Sequence, residues 1–208
     1  MYQSLKSLFT ILVIIAVILV LGRVFLFKLV RIDSYDMVPN LVAGDYFLVF
    51  TRDTLGPGSV AVCHHPDDPS TMVALRVVGV PGSTFAMRGS NLILNGKPVD
   101  QERANSILYV DNNSPEYTEY EVVRAQEYVG GHRYEVGLND EYGENAFSHT
   151  KVEEGFFLLG DNRNMAQDSR SFEEVPLENC IGSAFLVIWP GPDSGDLTRL
   201  NRILKWID

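Results

Sequence analysis

Two short segments carry most of the side chains able to do chemistry. In Ile32-Asp-Ser-Tyr-Asp-Met-Val-Pro-Asn-Leu-Val-Ala-Gly-Asp45, Ser34 stands two residues before Asp36. In Gly160-Asp-Asn-Arg-Asn-Met-Ala-Gln-Asp-Ser-Arg170, Asp161 and Asp168 stand close to Arg170. A serine hydroxyl becomes a nucleophile when a neighbouring base takes its proton, so Ser34 with His64, His65 or another base is one candidate pair. Asp36 with Asp161 is a second, because paired carboxylates can divide acid and base work. Metal ligation is not indicated. Cys63 and Cys180 fit no ligand spacing, and adjacent strand residues such as His64 and His65 point to opposite faces.

These residues need elements to hold them, and most of the chain reads as short strands. Tyr46–Phe50, Ser59–Cys63, Met72–Val80, Gly155–Leu159 and Ala184–Trp189 are rich in β-branched and aromatic residues. Glu121–Arg124 and His132–Val136 read the same way. Asn95-Gly96 between Leu92–Leu94 and Lys97–Val99 is a hairpin signature, since both turn residues tolerate positive φ. Only the end looks helical: Leu197, Leu200, Leu204 and Ile207 recur at spacings of three and four, with Arg199, Arg202 and Lys205 between them. The expected fold is mainly β and antiparallel, with a short C-terminal helix.

Composition narrows the class. The chain has 208 residues, 46% hydrophobic and 21% charged, which excludes a disordered or collagen-like chain. Its net charge of −10 makes it a poor nucleic-acid binder. Residues 1–31 hold Lys6, Arg23, Lys28 and Arg31 but no acid, so all 27 acids lie beyond them. Leu8–Phe27 matches the ~20 residues that a ~30 Å hydrocarbon core asks of a helix. It has no small-x-small cleavage site at Leu21-Gly22-Arg23-Val24. An uncleaved N-terminal transmembrane anchor over residues 1–31 is expected. Counting Lys and Arg around the span favours a cytoplasmic C-terminal body, on one or two residues.

Four segments in order resemble the boxes of the bacterial signal peptidase I family, membrane-anchored serine endopeptidases with a Ser–Lys dyad. Ile32–Asp45 resembles the S-G-S-M-x-P-T-L-x-x-G-D box. Gly58–Pro69 is similar to the strand ending in a Pro-Asp/Glu-Asp-Pro turn, and Leu75–Gly82 to the K-R-V-x-G-x-P-G-D box. Gly160–Arg170 resembles G-D-N-R-x-x-S-x-D-S-R. The resemblance covers essentially the whole chain. It implies a catalytic-type core over 32–100 and 151–208, an inserted β region near 101–150, and no cofactor or metal. It also implies a bacterial inner-membrane protein with a cytoplasmic N-terminus and an extracytoplasmic body, against the Lys/Arg count. There Cys63 and Cys180 are free to pair, although two scattered cysteines more commonly stay as buried thiols.

Three positions depart from the boxes together. Asp36 stands where the family has its nucleophilic serine, Leu75 where it has its general-base lysine, and Ala166 where a serine supports that lysine. A leucine accepts no proton, and a carboxylate is a poor nucleophile toward an amide. Tyr35 replaces a glycine and is itself a cleft-lining candidate. Other positions match: Ser34 at an oxyanion-type position, Met37 and Pro39 as cleft-lining candidates, Arg76 and Asp161 as an ion pair, and Asp168 and Arg170 closing the last box.

The reading that follows is a pseudoenzyme. It would sit on the lipid bilayer and bind signal peptides, an active signal peptidase or a secretion-complex protein. One alternative is an active signal peptidase with a rebuilt site using Ser34 and a non-lysine base. Another is an interaction subunit that leaves the cleft unused.

Overall fold

The computed structural model describes residues 2–111, 119–138, 147–149 and 151–208. Helix α1 (Tyr2–Phe25) leads directly into the strands β1 (Phe27–Arg31), β2 (Tyr46–Phe50), β3 (Val60–His64) and β4 (Met72–Gly79). Strands β5 (Phe85–Arg88), β6 (Asn91–Leu94), β7 (Lys97–Pro98) and β8 (Gln101–Val110) follow. Then come β9 (Glu119–Val129), β10 (His132–Leu138), β11 (Phe147–His149), β12 (Phe157–Leu159) and β13 (Cys180–Trp189). Two four-residue helices, α2 (Ser169–Phe172) and α3 (Arg199–Arg202), complete the order.

The strands form three sheets, ordered β1-β2-β13-β3-β4-β12, β10-β9-β8 and β11-β5-β6-β7. Every pairing between these strands is antiparallel. The expected antiparallel, mainly β fold is what the chain forms. Of region 101–150, residues 112–118, 139–146 and 150 lie outside the described residues.

Local chemistry explains several joints. Asn95 and Gly96 both adopt positive φ, 50° and 75°, closing the β6–β7 hairpin as their types allow. Alternation along β4 sends Leu75 into the main hydrophobic cluster and Arg76 to the opposite face. Cys63 and Cys180 face each other across β3 and β13 and form a disulfide, so these thiols are not free. The strand order brings them together across 117 residues of sequence.

The two chain ends differ from the sequence reading. The apolar run does not continue as helix to Phe27: Phe27 pairs with Phe50, because sheet pairing with β2 satisfies its backbone. Leu, Ile and Val side chains of α1 from Leu8 to Val20 are exposed. Among the described residues, no helix is long and apolar enough to cross a membrane. At the other end the helical periodicity over Leu197–Ile207 yields only Arg199–Arg202. Ile203 is extended and Leu204 has φ 54°, which ends the helix. The next residues join β13: the Val187 N–H donates to the Lys205 carbonyl at 2.9 Å, and the Ile207 N–H to the Phe185 carbonyl at 2.9 Å. Sheet pairing outweighs the weak propensity of a short helix.

Candidate functional site

The site is built where the loop between β1 and β2 meets the loop after β12. The first loop is pinned at its base by the Ile32 N–H on the Asp45 carbonyl at 3.1 Å and the Gly44 N–H on the Ile32 carbonyl at 2.7 Å. Asp45 holds its far side, accepting from the Val42 N–H at 2.9 Å and the Gly191 N–H at 2.7 Å. Between these anchors the chain turns through a cis Val38–Pro39 peptide. The second loop docks through the Asn162 N–H, which donates to the Asp36 carbonyl at 2.9 Å, and Asn162 Nδ2, which donates to the Tyr35 carbonyl at 3.2 Å.

Asp36 lies at the meeting point and is only 8% exposed. Its Oδ1 accepts the Gln167 N–H at 2.9 Å. Burial raises its pKa above the ordinary aspartate value. The Gln167 N–H and the Ser34 hydroxyl, which donates to the carboxylate, oppose that rise, and the charge of Asp168 adds to it. A half-buried serine hydroxyl therefore rests on a carboxylate that accepts protons more readily than a free aspartate does.

The other proposed partners are elsewhere. Both carboxylate oxygens of Asp161 are held by Arg76 and not by Asp36: Arg76 Nε donates to Oδ1 at 2.7 Å and Nη2 to Oδ2 at 2.6 Å, with both side chains at 0% exposure. Asn40 Nδ2 also donates to Asp161 Oδ2, at 2.7 Å. His64 and His65 spend their Nδ1 atoms near the β3–β4 turn, 2.8 Å from the Pro69 carbonyl and accepting the Asp67 N–H at 3.1 Å. Asp168 and Arg170 close the second loop on itself. Arg170 Nε and Nη2 donate to Asp168 at 2.8 and 2.7 Å, and the Gly160 N–H donates to Asp168 Oδ2 at 3.0 Å.

Leu75 is fully buried in a cluster with Met37, Ala74, Phe156 and Leu158. The space a base would need there is filled with hydrocarbon. Met37 and Pro39 are buried as well, so of the three cleft-lining candidates only Tyr35 keeps solvent-facing surface. Its ring packs with Val38, Tyr109 and Tyr120. Burial, with the charges of Asp111 and Asp36 behind it, raises its phenol pKa. Ala166 sits against Gly160, where a Cβ would come within 2.2 Å of the alanine methyl.

Sequence reasoning missed a second buried pair. Arg163 Nη1 and Nη2 donate to Glu127 Oε1 and Oε2 at 2.6 and 2.5 Å, and the Tyr134 hydroxyl donates to Glu127 at 3.2 Å. The Arg76 guanidinium lies 3.6 Å from the centre of the Tyr134 ring. This stack ties β9 and β10 to the second loop. The legible signal was the inward alternation Ala125, Glu127, Val129, which puts one acid on the buried face of a strand.

The antiparallel sheets bring a serine hydroxyl and a buried carboxylate together at the junction of two loops. The model of the family described as signal peptidase, peptidase S26 matches residues 5–189. The chain belongs to that family. It is 30% identical to a signal peptidase I of Pseudomonas fluorescens, over 95% of this chain and 76% of the relative. It is 26% identical to one of Streptococcus pneumoniae serotype 4, over 83% of this chain and 87% of the relative. A signal peptidase I crystal structure from Enterococcus faecalis V583 aligns with a TM-score of 0.38 and 22% identity, over 63% of this chain and 97% of that one.

These comparisons correct the non-enzyme reading. The family and the relatives are peptidases by name, and no positive feature of the described residues demonstrates inactivity.

Proposed function

We propose that the protein is a membrane-anchored endopeptidase that removes signal peptides through a rebuilt site, with Ser34 as nucleophile and Asp36 as general base. The observation that carries this reading is the Ser34 hydroxyl donating to the buried, proton-seeking carboxylate of Asp36. In the acylation step Ser34 Oγ bonds to the scissile carbonyl carbon, its proton passes to Asp36, and the departing amine takes that proton as the C–N bond breaks. Water then adds to the acyl carbonyl and passes a proton to Asp36, which returns it to Ser34 Oγ as the acyl C–O bond breaks. Asp36 must be ionised to begin, so its raised pKa sets the acid limb of the activity.

The anchor belongs to the same proposal. The exposed Leu, Ile and Val side chains of α1 suit a bilayer, and the first sheet strand begins only two residues after the helix. A cytoplasmic N-terminus and an extracytoplasmic body are favoured by the Cys63–Cys180 disulfide, since such bonds persist in oxidising compartments.

The test is cleavage of a signal-peptide substrate by the full chain in detergent. Ser34→Ala and Asp36→Asn are each expected to lower kcat by about 10²-fold or more while the far-ultraviolet spectrum stays unchanged. Full activity in folded Ser34→Ala would sink the assignment.

A further inference from the structure

Asn40 of the first loop, the C-terminal segment and β9–β10 enclose a cavity of about 370 Å³, walled in part by Gln126, Arg133, Glu135, Lys205 and Trp206. Its polar groups are unevenly matched. Lys205 Nζ donates to the Pro39 carbonyl at 3.3 Å, and among the described residues it has no other hydrogen-bond partner and no carboxylate. Arg133 Nε donates to Gln126 Oε1, and its guanidinium lies 5.5 Å from the Tyr128 ring centre, again with no carboxylate on it among the described residues. Glu135 is engaged by Arg124 at 3.4 Å, and Asn40 Nδ2 is spent on Asp161 and the Glu135 carbonyl. Glu135 and Asp208 line the same cavity, yet among the described residues neither Lys205 nor Arg133 has a carboxylate within ion-pair distance.

We propose that this cavity binds a small organic anion, its carboxylate between Lys205 and Arg133 and its apolar body against Trp206. Trp206 supplies the wall: its ring is 64% exposed and lies 5.9 Å from that of Phe185. The volume suits a ligand of benzoate size. A partly desolvated ammonium gains more from a counterion than a hydrated one does.

The charge environment of Lys205 gives the site a pH signature. Burial lowers the pKa of the amine. The charges of Glu135 on β10, Asp161 in the second loop and Asp45 before β2 raise it, while Arg202 on α3 lowers it. Arg133 and Asp208 also face the cavity. An arriving carboxylate favours the protonated amine, so binding takes up protons and weakens as pH rises through the lowered lysine pKa.

The test uses the full chain in detergent at constant ionic strength, titrated with benzoate and separately with inorganic phosphate, and read by calorimetry and thermal melting. Saturable benzoate binding, with proton uptake on the alkaline side, is expected. Lys205→Met is expected to weaken it by about tenfold or more. Arg133→Gln changes an exposed residue and so guards against simple misfolding; it is expected to do the same, whereas Lys151→Met leaves binding intact. Benzoate affinity unchanged in Arg133→Gln, no saturable benzoate binding, or phosphate binding without benzoate binding would each overturn the proposal.

Discussion

Arg76 on β4 and Asp161 beyond β12 are 85 residues apart in sequence, yet they meet through two hydrogen bonds with no solvent access. Leu159 pairs with Arg76 across the strands, so the chain needs only two more residues to bring the carboxylate onto the guanidinium. Removing one partner strands the other charge in the interior. Arg76→Met is therefore expected to destabilise by about 3–5 kcal/mol, measured by urea unfolding. Arg76→Met with Asp161→Leu is expected to recover much of that loss. A cost well below 1 kcal/mol for Arg76→Met would mean that water reaches the pair.

The raised pKa of Asp36 has a stability counterpart. The folded carboxyl takes up its proton more readily than the unfolded one, so its contribution is fully present below the unfolded value and lost as pH rises through the raised folded value. Asp36→Asn carries no such penalty. Its melting temperature relative to the parent protein should climb as pH rises above the ordinary aspartate range and through the raised folded value. A pH-independent difference would contradict the burial effect.

Gly160 is where the two loops touch most closely. A Cβ there would lie 2.5 Å from the Asp36 carbonyl oxygen and 2.2 Å from the Ala166 methyl. Gly160→Ala is expected to cost about 1–3 kcal/mol and to lower activity by shifting the Asp36 backbone. Adding Ala166→Gly relieves one of the two clashes and should restore part of the stability. Tolerance of Gly160→Ala without either change in urea melts would show that the junction is looser than its geometry.

The Cys63–Cys180 bond closes a loop of 117 residues. Cys63→Ala with Cys180→Ala, or reduction by dithiothreitol, should lower stability by about 2–5 kcal/mol. Paired urea curves with and without reductant check it. Coincident curves, with the free thiols counted to confirm reduction, would rule out that contribution.

The strands were legible because half-buried sheet residues alternate and β-branched residues concentrate in them. Asn95-Gly96 was legible because few other residue pairs accept that turn. The C-terminal helix was over-read. Spacings of three and four over Leu197–Ile207 fit a helix, but main-chain bonds from β13 to residues 205–207 took the second half. Of the site, the departures at 36, 75 and 166 were visible as residue types. Their meaning was not, because residue type does not reveal that Asp36 is buried under a serine hydroxyl.

The amino-acid sequence alone determined the strand-rich class, the apolar start on an acidic body, and the family boxes, since these rest on composition, periodicity and local motif. Tertiary structure decided what those boxes hold. It paired Asp161 with Arg76 rather than Asp36, drew Glu127 to Arg163, joined the two cysteines, and set Lys205 and Arg133 in one cavity. Each of these depends on groups far apart in the chain reaching one another. Burial and counter-charge, set only once the sheets assemble, determine what such groups can do.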